Sequence, residues 1–573
     1  MGPIPRPPER GRPTGGAPAT APLARRTLLA GTAAGLVAAG ALGGAASARV
    51  GGPGDRTAAR GQRRLRADPF TLGVASGEPA PGGVVLWTRL AVAPLADDGL
   101  GGMPDRPVEV AWVLAHDAAL SQVVRRGTAA ALPAEAHSVH VEVDGLAPGR
   151  EYHYRFTADG YASAVGRTRT APAGGARVGR LRLGLVSCAM YEHGLFTAYR
   201  HLAAADPDLV VHLGDYQYEH APGGYPVPGG AVRAHVGDQA RTLAQYRQRY
   251  AQYHADPDLQ AAHAAAPWLV VFDDHEVVDN WAADVPGKPD PHFADRRAAA
   301  MRAYWENMPL RRSARPSGVA LPLHRRLHWG DLATLHLLDT RQYRDDQGCG
   351  DGYRECAAAA DPARTLTGAA QERWLLDGFR ASSARWDLLA QQVFFGRRDR
   401  DPGPKLVTSQ DAWDGYLGSR DRITRGWVAA GVRNPVVLTG DVHAHWAGDL
   451  VLDYADPAAP AVGAEIVCSS VASGGDGHDG DPAGHPFMAQ NPHLRFYNNQ
   501  RGFVLATLDP RELEADFQVV PKVSGPGAPA YSRARFAAAD RERGLHATYL
   551  RPLDPALARA ATAEETVAAE TAG

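Results

Sequence analysis

Four apolar runs along the chain each end in a short polar cluster: LRLGLVSC at Cys188, LVVHLGDYQY at Tyr218, WLVVFDDHEVVDN at Asn280 and VVLTGDVHAH at His445. Short apolar runs of this kind predict buried strands. An open α/β sheet places its ligand site beyond the carboxyl ends of its strands. The polar residues are therefore expected to emerge together. Asp, Tyr, His and Asn all serve as metal ligands or phosphate partners.

The rest of the pattern divides in two. Between residues 68 and 172, VVLWTRL, VEVAWVLA, HSVHVEVDGL and YHYRFTADG alternate apolar and polar positions, with Gly or Pro in the gaps. This predicts an N-terminal all-β sandwich, and LAPGREYHYRF resembles the end of a fibronectin type III domain. From about Arg180 the period switches. Helix-like segments (GLFTAYRHLAAA, QARTLAQYRQRYAQYHADPDLQAAHAAA, AAQERWLLDGFRAS) alternate with strand-like ones (LATLHLLDT, VVLTGD, AEIVCSS, GFVLATLD, ELEADFQVV), and a hairpin is expected around Gly330-Asp331. Residues 180–523 thus predict an α/β sandwich of two mixed sheets flanked by helices. Residues 49–67 read as a Gly- and Arg-rich linker. Residues 524–573, rich in Ala and Arg, read as a tail or lid.

The first 48 residues stand apart. Arg25 and Arg26 precede the apolar TLLAGTAAGLVAAGALGGA, and Ala46-Ser47-Ala48 offers a cleavage site, the layout of a bacterial twin-arginine signal. The Gly content and the small-residue site argue against a membrane anchor, so no stable span is expected in the mature protein. The expected location is secreted or on the exterior of the cell envelope, with the twin-arginine export machinery as a partner. An apolar fraction of 45% and a formal net charge of −2 give an ordinary globular composition, with no field for nucleic acid. Four cysteines follow the signal. Cys349 and Cys356 are expected to pair in an exported chain. Cys468 reads as a buried inert thiol, whereas Cys188 aligns with the polar clusters.

Asp215 and Tyr218 stand three apart and can reach one point. A phenol rarely binds metal unless ionised, which needs a strongly acidic ion, and a thiolate from Cys188 favours a transition metal over magnesium. Cys188, Asp215, Tyr218 and one imidazole therefore make an iron site. His443 and His445 would share a face on an extended strand, and Asp441 either orients one ring or caps the turn. The acids of FDDHEVVDN repel one another unless a cation neutralises them. Asp274 or Asn280 offers oxygen to a second, harder ion, and His275 can protonate a leaving group. Glu276 or Asp279 is expected to cap the next helix. Arg341 matches a phosphate oxygen pair, and Arg344 is expected in a surface ion pair with Asp345 or Asp346.

SCAMYE, HLGDYQYE, FDDHEVVDN, LLDTRQYRDDQ and TGDVHAHW, in one order and preceded by DPFTLGVASGEP, closely resemble the PhoD-like alkaline phosphatase family from Asp68 to about Val520. The resemblance implies a β-sandwich followed by a calcineurin-like metallophosphoesterase domain, ferric iron (Fe3+) and calcium (Ca2+) as cofactors, and twin-arginine export. It implies hydrolysis of phosphomonoesters and often phosphodiesters, with phosphate esters as the partners bound. Carried onto this chain, it has Cys188, Asp215, Tyr218 and His445 hold iron. Asp215 bridges to calcium, with Asp274, Asn280 and His443 nearby. The expected reaction is in-line attack by a metal-activated hydroxide, with Arg341 neutralising charge and His275 protonating the departing alkoxide. The rival readings are a phospholipase D-type phosphodiesterase and a non-catalytic extracellular binding protein.

Overall fold

The computed structural model describes residues 64–480 and 485–553. The expected signal segment, nearly all of the expected linker and the residues beyond 553 lie outside the described residues.

Two mixed sheets carry the fold. The larger has ten strands, in the order His546–Leu550, Tyr531–Ala539, Glu512–Val520, Arg501–Leu508, Leu181–Val186, Leu209–His212, Pro267–Val270, Val74–Ala80, Gly83–Arg89 and Ser138–Asp144. Its centre is parallel, from Leu181–Val186 through Val74–Ala80, and both wings are antiparallel. The second sheet has seven strands, with Ala333–Leu337, Trp386–Ala390, Pro435–Thr439 and Ala461–Val467 parallel in its middle. Leu209–His212 and Pro267–Val270 are buried at every position, as parallel strands covered on both faces must be.

Leu183, Leu185 and Val211 of the first sheet share one core with Leu335, Leu388 and Leu438 of the second. The alternate residues Leu389, Val437 and Val467 face outward, onto Phe379 of helix Gly368–Ala381 and Trp427 of helix Leu417–Ala429. Helix Thr197–Ala204 presses on the first sheet, where Gly184 lets it approach. A Cβ there would stand 2.5 Å from Leu202 Cδ1. Helix Leu243–His254 begins with a capping box, Thr242 Oγ1 accepting from Gln245 N and Gln245 Oε1 from Thr242 N. No helix among the described residues is long and apolar enough to cross a membrane.

The N-terminal region is not a free-standing sandwich. Val74–Ala80, Gly83–Arg89 and Ser138–Asp144 belong to the ten-stranded sheet, joined to it by the parallel pairing of Ser76 with Pro267 and Gly77 with Trp268. A separate five-stranded sheet built on Val108–Ala115 and Glu151–Ala158 packs over this wing, with Val110, Leu114 and Phe156 against Val84, Leu86 and Val141. Alternation reports that one face of a strand is buried. It does not report which neighbour takes the strand's edge.

The stretch after Ser524 also differs from expectation. Tyr531–Ala539 and His546–Leu550 are strands of the ten-stranded sheet, neither lid nor loose tail. YSRARFAAA has weak β propensity, and pairing with Glu512–Val520 overrides it.

Candidate metal centre

The parallel strands end side by side, and their loops touch. Cys188 N donates to Gly214 O (3.1 Å) and Ala189 N to Asp215 O (2.9 Å). Gly214 has φ +109°, and a Cβ on it would lie 2.5 Å from Asp273 Cβ, so only glycine lets these two loops meet. Of the thirteen described non-glycine residues with positive φ, five are Cys188, Asp215, Asn280, Asp441 and His443. Left-handed backbone costs such residues roughly 1–2 kcal/mol each, so strain is concentrated where the polar clusters converge.

Ligand atoms of Cys188, Asp215 and His443 lie within 4.8 Å of one another, and so do those of Asp215, Asp274 and His275. Asp215 belongs to both groups. Tyr218 joins the first group: its Oη is 2.9 Å from Asp215 Oδ2, 3.3 Å from His443 Nε2 and 2.8 Å from Ser473 Oγ.

The shared face expected of His443 and His445 does not form. His443 has φ +53° and lies in a turn, and the strand begins only at His445. His443, not His445, therefore sits with Cys188, Asp215 and Tyr218. The His445 ring accepts from Ser469 N through Nδ1 (3.1 Å) and meets Phe517 edge-on. Its buried Nε2 has no hydrogen-bond partner.

The FDDHE segment is an internal scaffold. Glu276 accepts three backbone N–H groups from both metal-facing loops: Asp215 N (3.1 Å), Tyr216 N (2.7 Å) and Asp273 N (2.9 Å). It caps loops rather than a helix, and the next α-helix starts only at Phe293. Burial nonetheless pushes the Glu276 carboxyl up to about 8, against the pull of those donors.

Arg341 is wholly buried and saturated by carboxylates: Nε on Asp273 (2.5 Å), Nη1 and Nη2 on Asp411 (2.9 and 2.8 Å), and Nη2 on Asp274 (3.4 Å). The guanidinium is an internal counter-ion here, not an open phosphate clamp. Arg344 is buried too, bonded to Asp411, its carbonyl and Tyr416 Oη, which replaces the expected surface pair with Asp345 or Asp346.

His275 donates from Nδ1 to Glu219 Oε2 (2.9 Å), which turns Nε2 toward Asp274 Oδ2 at 3.9 Å. Burial alone would depress this imidazole. The carboxylates of Asp274, Glu219 and Asp215 outweigh burial and raise its pKa well above the ordinary value. Asn280 donates Nδ2 to Asp351 Oδ2 (3.0 Å), and its backbone N meets Asp274 Oδ2 (2.7 Å). A cavity of about 70 Å³ opens beside it, lined in part by Asp351, Tyr353, Arg398, Asp411 and Asp441. A larger one, about 650 Å³, lies between Glu78, Leu269, Leu323 and Arg325 and touches none of these residues. Cys349 and Cys356 form the expected disulfide, and Cys468 is buried in the core with its Sγ on Leu185 O.

The residues fit cations. Asp215 Oδ1, Asp273 Oδ2 and His275 Nε2 are buried without hydrogen-bond partners. Burial, with Asp274, Asp273 and Glu276 adding to it, lifts the Asp215 carboxyl far above the carboxylate range, and Asp273 rises to about 6. Burial and Asp215 also raise the Cys188 thiol and the Tyr218 phenol. Such a group ionises when a cation replaces the lost water. Sulfur, phenol and imidazole suit a transition metal, and the oxygens of Asp274 and Asn280 suit a harder ion. Glu219, Asp351, Asp411 and Ser473 were not singled out from the sequence. Only Glu219, closing HLGDYQYE, carried a signal, its nearness to Asp215.

Residues 183–517 match the family model described as PhoD-like phosphatase, and residues 56–172 match that of the PhoD-like phosphatase N-terminal domain. Alkaline phosphatase D of Bacillus subtilis (strain 168) is 46% identical over 480 residues, which span 83% of this chain and 82% of that protein. A solved structure titled "Structure of PhoD" superposes with a TM-score of 0.86 at 43% identity, covering 89% of this chain and 98% of that one. With this likeness running along nearly the whole folded chain, the protein belongs to the PhoD-like phosphatase family and is a phosphoesterase.

Proposed function

We propose that the protein is an exported, metal-dependent alkaline phosphatase D-like enzyme that hydrolyses phosphomonoesters and, at the same site, phosphodiesters. Cys188, Asp215, Tyr218 and His443 would hold ferric iron. Asp215 would reach across to calcium, held also by Asp274 and Asn280, and His445 keeps a buried Nε2 without a hydrogen-bond partner. When bound, these ions supply Lewis acidity to the phosphoryl oxygens and to water. The chain's own work is positional. Glu276 holds the two ligand loops in register, and Arg341 keeps Asp273 and Asp274 in place. Glu219 accepts from His275 Nδ1 and, with Asp274 and Asp215, favours the imidazolium, so that Nε2 also carries a proton for the departing alkoxide.

The reading rests chiefly on one observation, the convergence of Cys188, Asp215 and His443 with Tyr218 on Asp215. Elemental analysis of the exported protein, paired with Asp215→Asn, tests it: turnover is abolished and both ions are loosened. An active, metal-replete Asp215→Asn protein sinks it. Rates on a phosphomonoester, a bis-ester and phosphatidylcholine rank the substrates, and a preference for the lipid would make the enzyme phospholipase D-type. Arg25-Arg26, the Ala46-Ser47-Ala48 site and the Cys349–Cys356 disulfide support export to an oxidising exterior. Replacing Arg25 and Arg26 with Lys should retain the protein inside the cell, and undiminished export of that variant would refute the route.

A further inference from the structure

The Asn280 side chain is the loosest of the proposed ligands, and the structure shows what orients it. Its backbone is pinned on both sides, N donating to Asp274 Oδ2 (2.7 Å) and O accepting from Gln347 Nε2 (3.1 Å), at φ +49°. What remains free is rotation of the carboxamide, which exchanges its oxygen for its nitrogen. An amide can offer only Nδ2 to a carboxylate acceptor, and Oδ1 then faces the other edge. Asp351 supplies that acceptor at 3.0 Å.

Asp351 is itself held. It lies inside the loop closed by Cys349–Cys356, and its Oδ1 accepts from Gly352 N (2.6 Å). Gly350 and Gly352 take φ +77° and +89°, and beyond them Tyr353 and Arg354 pair with Ser409 and Thr408. Gln347, which grips the Asn280 carbonyl, also donates to Asp411, the carboxylate on Arg341.

We infer that Asp351, braced by the Cys349–Cys356 disulfide, is a positioning residue that turns the Asn280 carboxamide so that its oxygen faces the second cation. This rests on the proposed role of Asn280 as a ligand of that ion. Asp351 stands 71 residues from Asn280 in sequence, and only the fold brings it to the site. The disulfide then makes full affinity for the second ion depend on an oxidised loop.

The test is calcium binding by calorimetry to the full-length, iron-loaded enzyme stripped of calcium with a chelator. Hydrolysis of p-nitrophenyl phosphate is followed against calcium in parallel. Loss of an outer partner of a metal ligand commonly weakens binding about 10–100-fold. Asp351→Ala should weaken calcium by that factor, with iron content unchanged and kcat at saturating calcium nearly preserved. Asp351→Asn keeps one acceptor oxygen and should fall between it and the parent. The double substitution Cys349→Ser, Cys356→Ser should weaken calcium in the parent and add little to Asp351→Ala, because both act through one contact. Parental calcium affinity in Asp351→Ala, or full multiplication of the two effects, overturns the inference. Asn280→Ala separates the levels. If it too binds calcium normally, the ligand assignment itself fails. If it loses calcium while Asp351→Ala does not, only the positioning role fails.

Discussion

Replacing Arg341 with Met distinguishes two roles that the residue type alone leaves open. Its guanidinium sits at zero exposure between Asp273, Asp274 and Asp411. A neutral side chain of similar length would leave three buried carboxylates without their common cation. Breaking a buried ion pair from one side costs about 3–5 kcal/mol, here borne mainly by Asp273 and Asp274, since Asp411 keeps Arg344 and Gln347. At about 1.4 kcal/mol per tenfold, this is on the order of 10²–10⁴ in the folded-to-unfolded ratio, a large share of a typical stability of about 5–15 kcal/mol. Arg341→Lys keeps the charge but cannot span the fork to all three acids, and it should fall in between. The assay is urea unfolding at neutral pH with and without calcium, alongside iron and calcium content. Calcium should recover part of the loss, since an added cation relieves the same repulsion. A stable, metal-replete Arg341→Met protein whose only defect is a raised KM would refute the counter-ion role and restore a substrate clamp.

Other outcomes follow from the same geometry. Glu276→Gln replaces one acceptor oxygen with an amide donor facing a backbone N–H, so it should cost about 2–3 kcal/mol and lower metal content, read by urea unfolding and elemental analysis; unchanged metal content would count against the scaffold role. Glu219→Gln should lower kcat with little change in KM, because the carboxylate that favours the His275 imidazolium is lost; an unchanged kcat would remove Glu219 from the mechanism. In metal-stripped protein, Asp273 and Asp279 are raised by burial to about 6, against about 3.9 in unfolded chains. Protons then leave the unfolded state first, so the contribution of these two groups to stability is full below about pH 4 and is lost as pH rises through about 6. Urea midpoints at pH 4.5 and 7.5 check this, and a stripped protein that gains stability over that interval would contradict it. Tyr218→Phe should lose any ferric–phenolate colour while retaining Cys188 and Asp215 as ligands, and a coloured variant would exclude Tyr218.

Much of the site was legible because its chemistry sits at the ends of apolar runs. Cys188, Asp215, Tyr218, Asp274 and His443 each follow a strand that must be buried, so the fold has little choice but to gather them. The partners that hold them were not legible. Asp411 lies in TSQDAW, after no apolar run, 70 residues from the Arg341 it neutralises. Arg344 reads as a surface residue because two acids follow it directly, yet its partners are Asp411 and Tyr416. The resemblance assigned His445 to the iron site, and strand alternation gave only a shared face for His443 and His445, from which the His443 backbone departs. The two mixed sheets followed from the strand and helix pattern. The extension of the larger one by Val74–Ala80 on one side and Tyr531–Ala539 on the other did not, since such pairing leaves no local mark.

That extension bears on how the protein matures. The strands that end at the candidate site lie mid-sheet, and their flanks are supplied by segments that come before and long after them along the chain. Val74–Ala80 waits for Pro267–Val270, and Arg501–Leu508 must arrive before Leu181–Val186 has its second neighbour. A nascent chain halted before Arg501 should therefore remain open to protease at Leu181–Val186, and the loops after these strands should become rigid only once Arg501–Leu508 has been made.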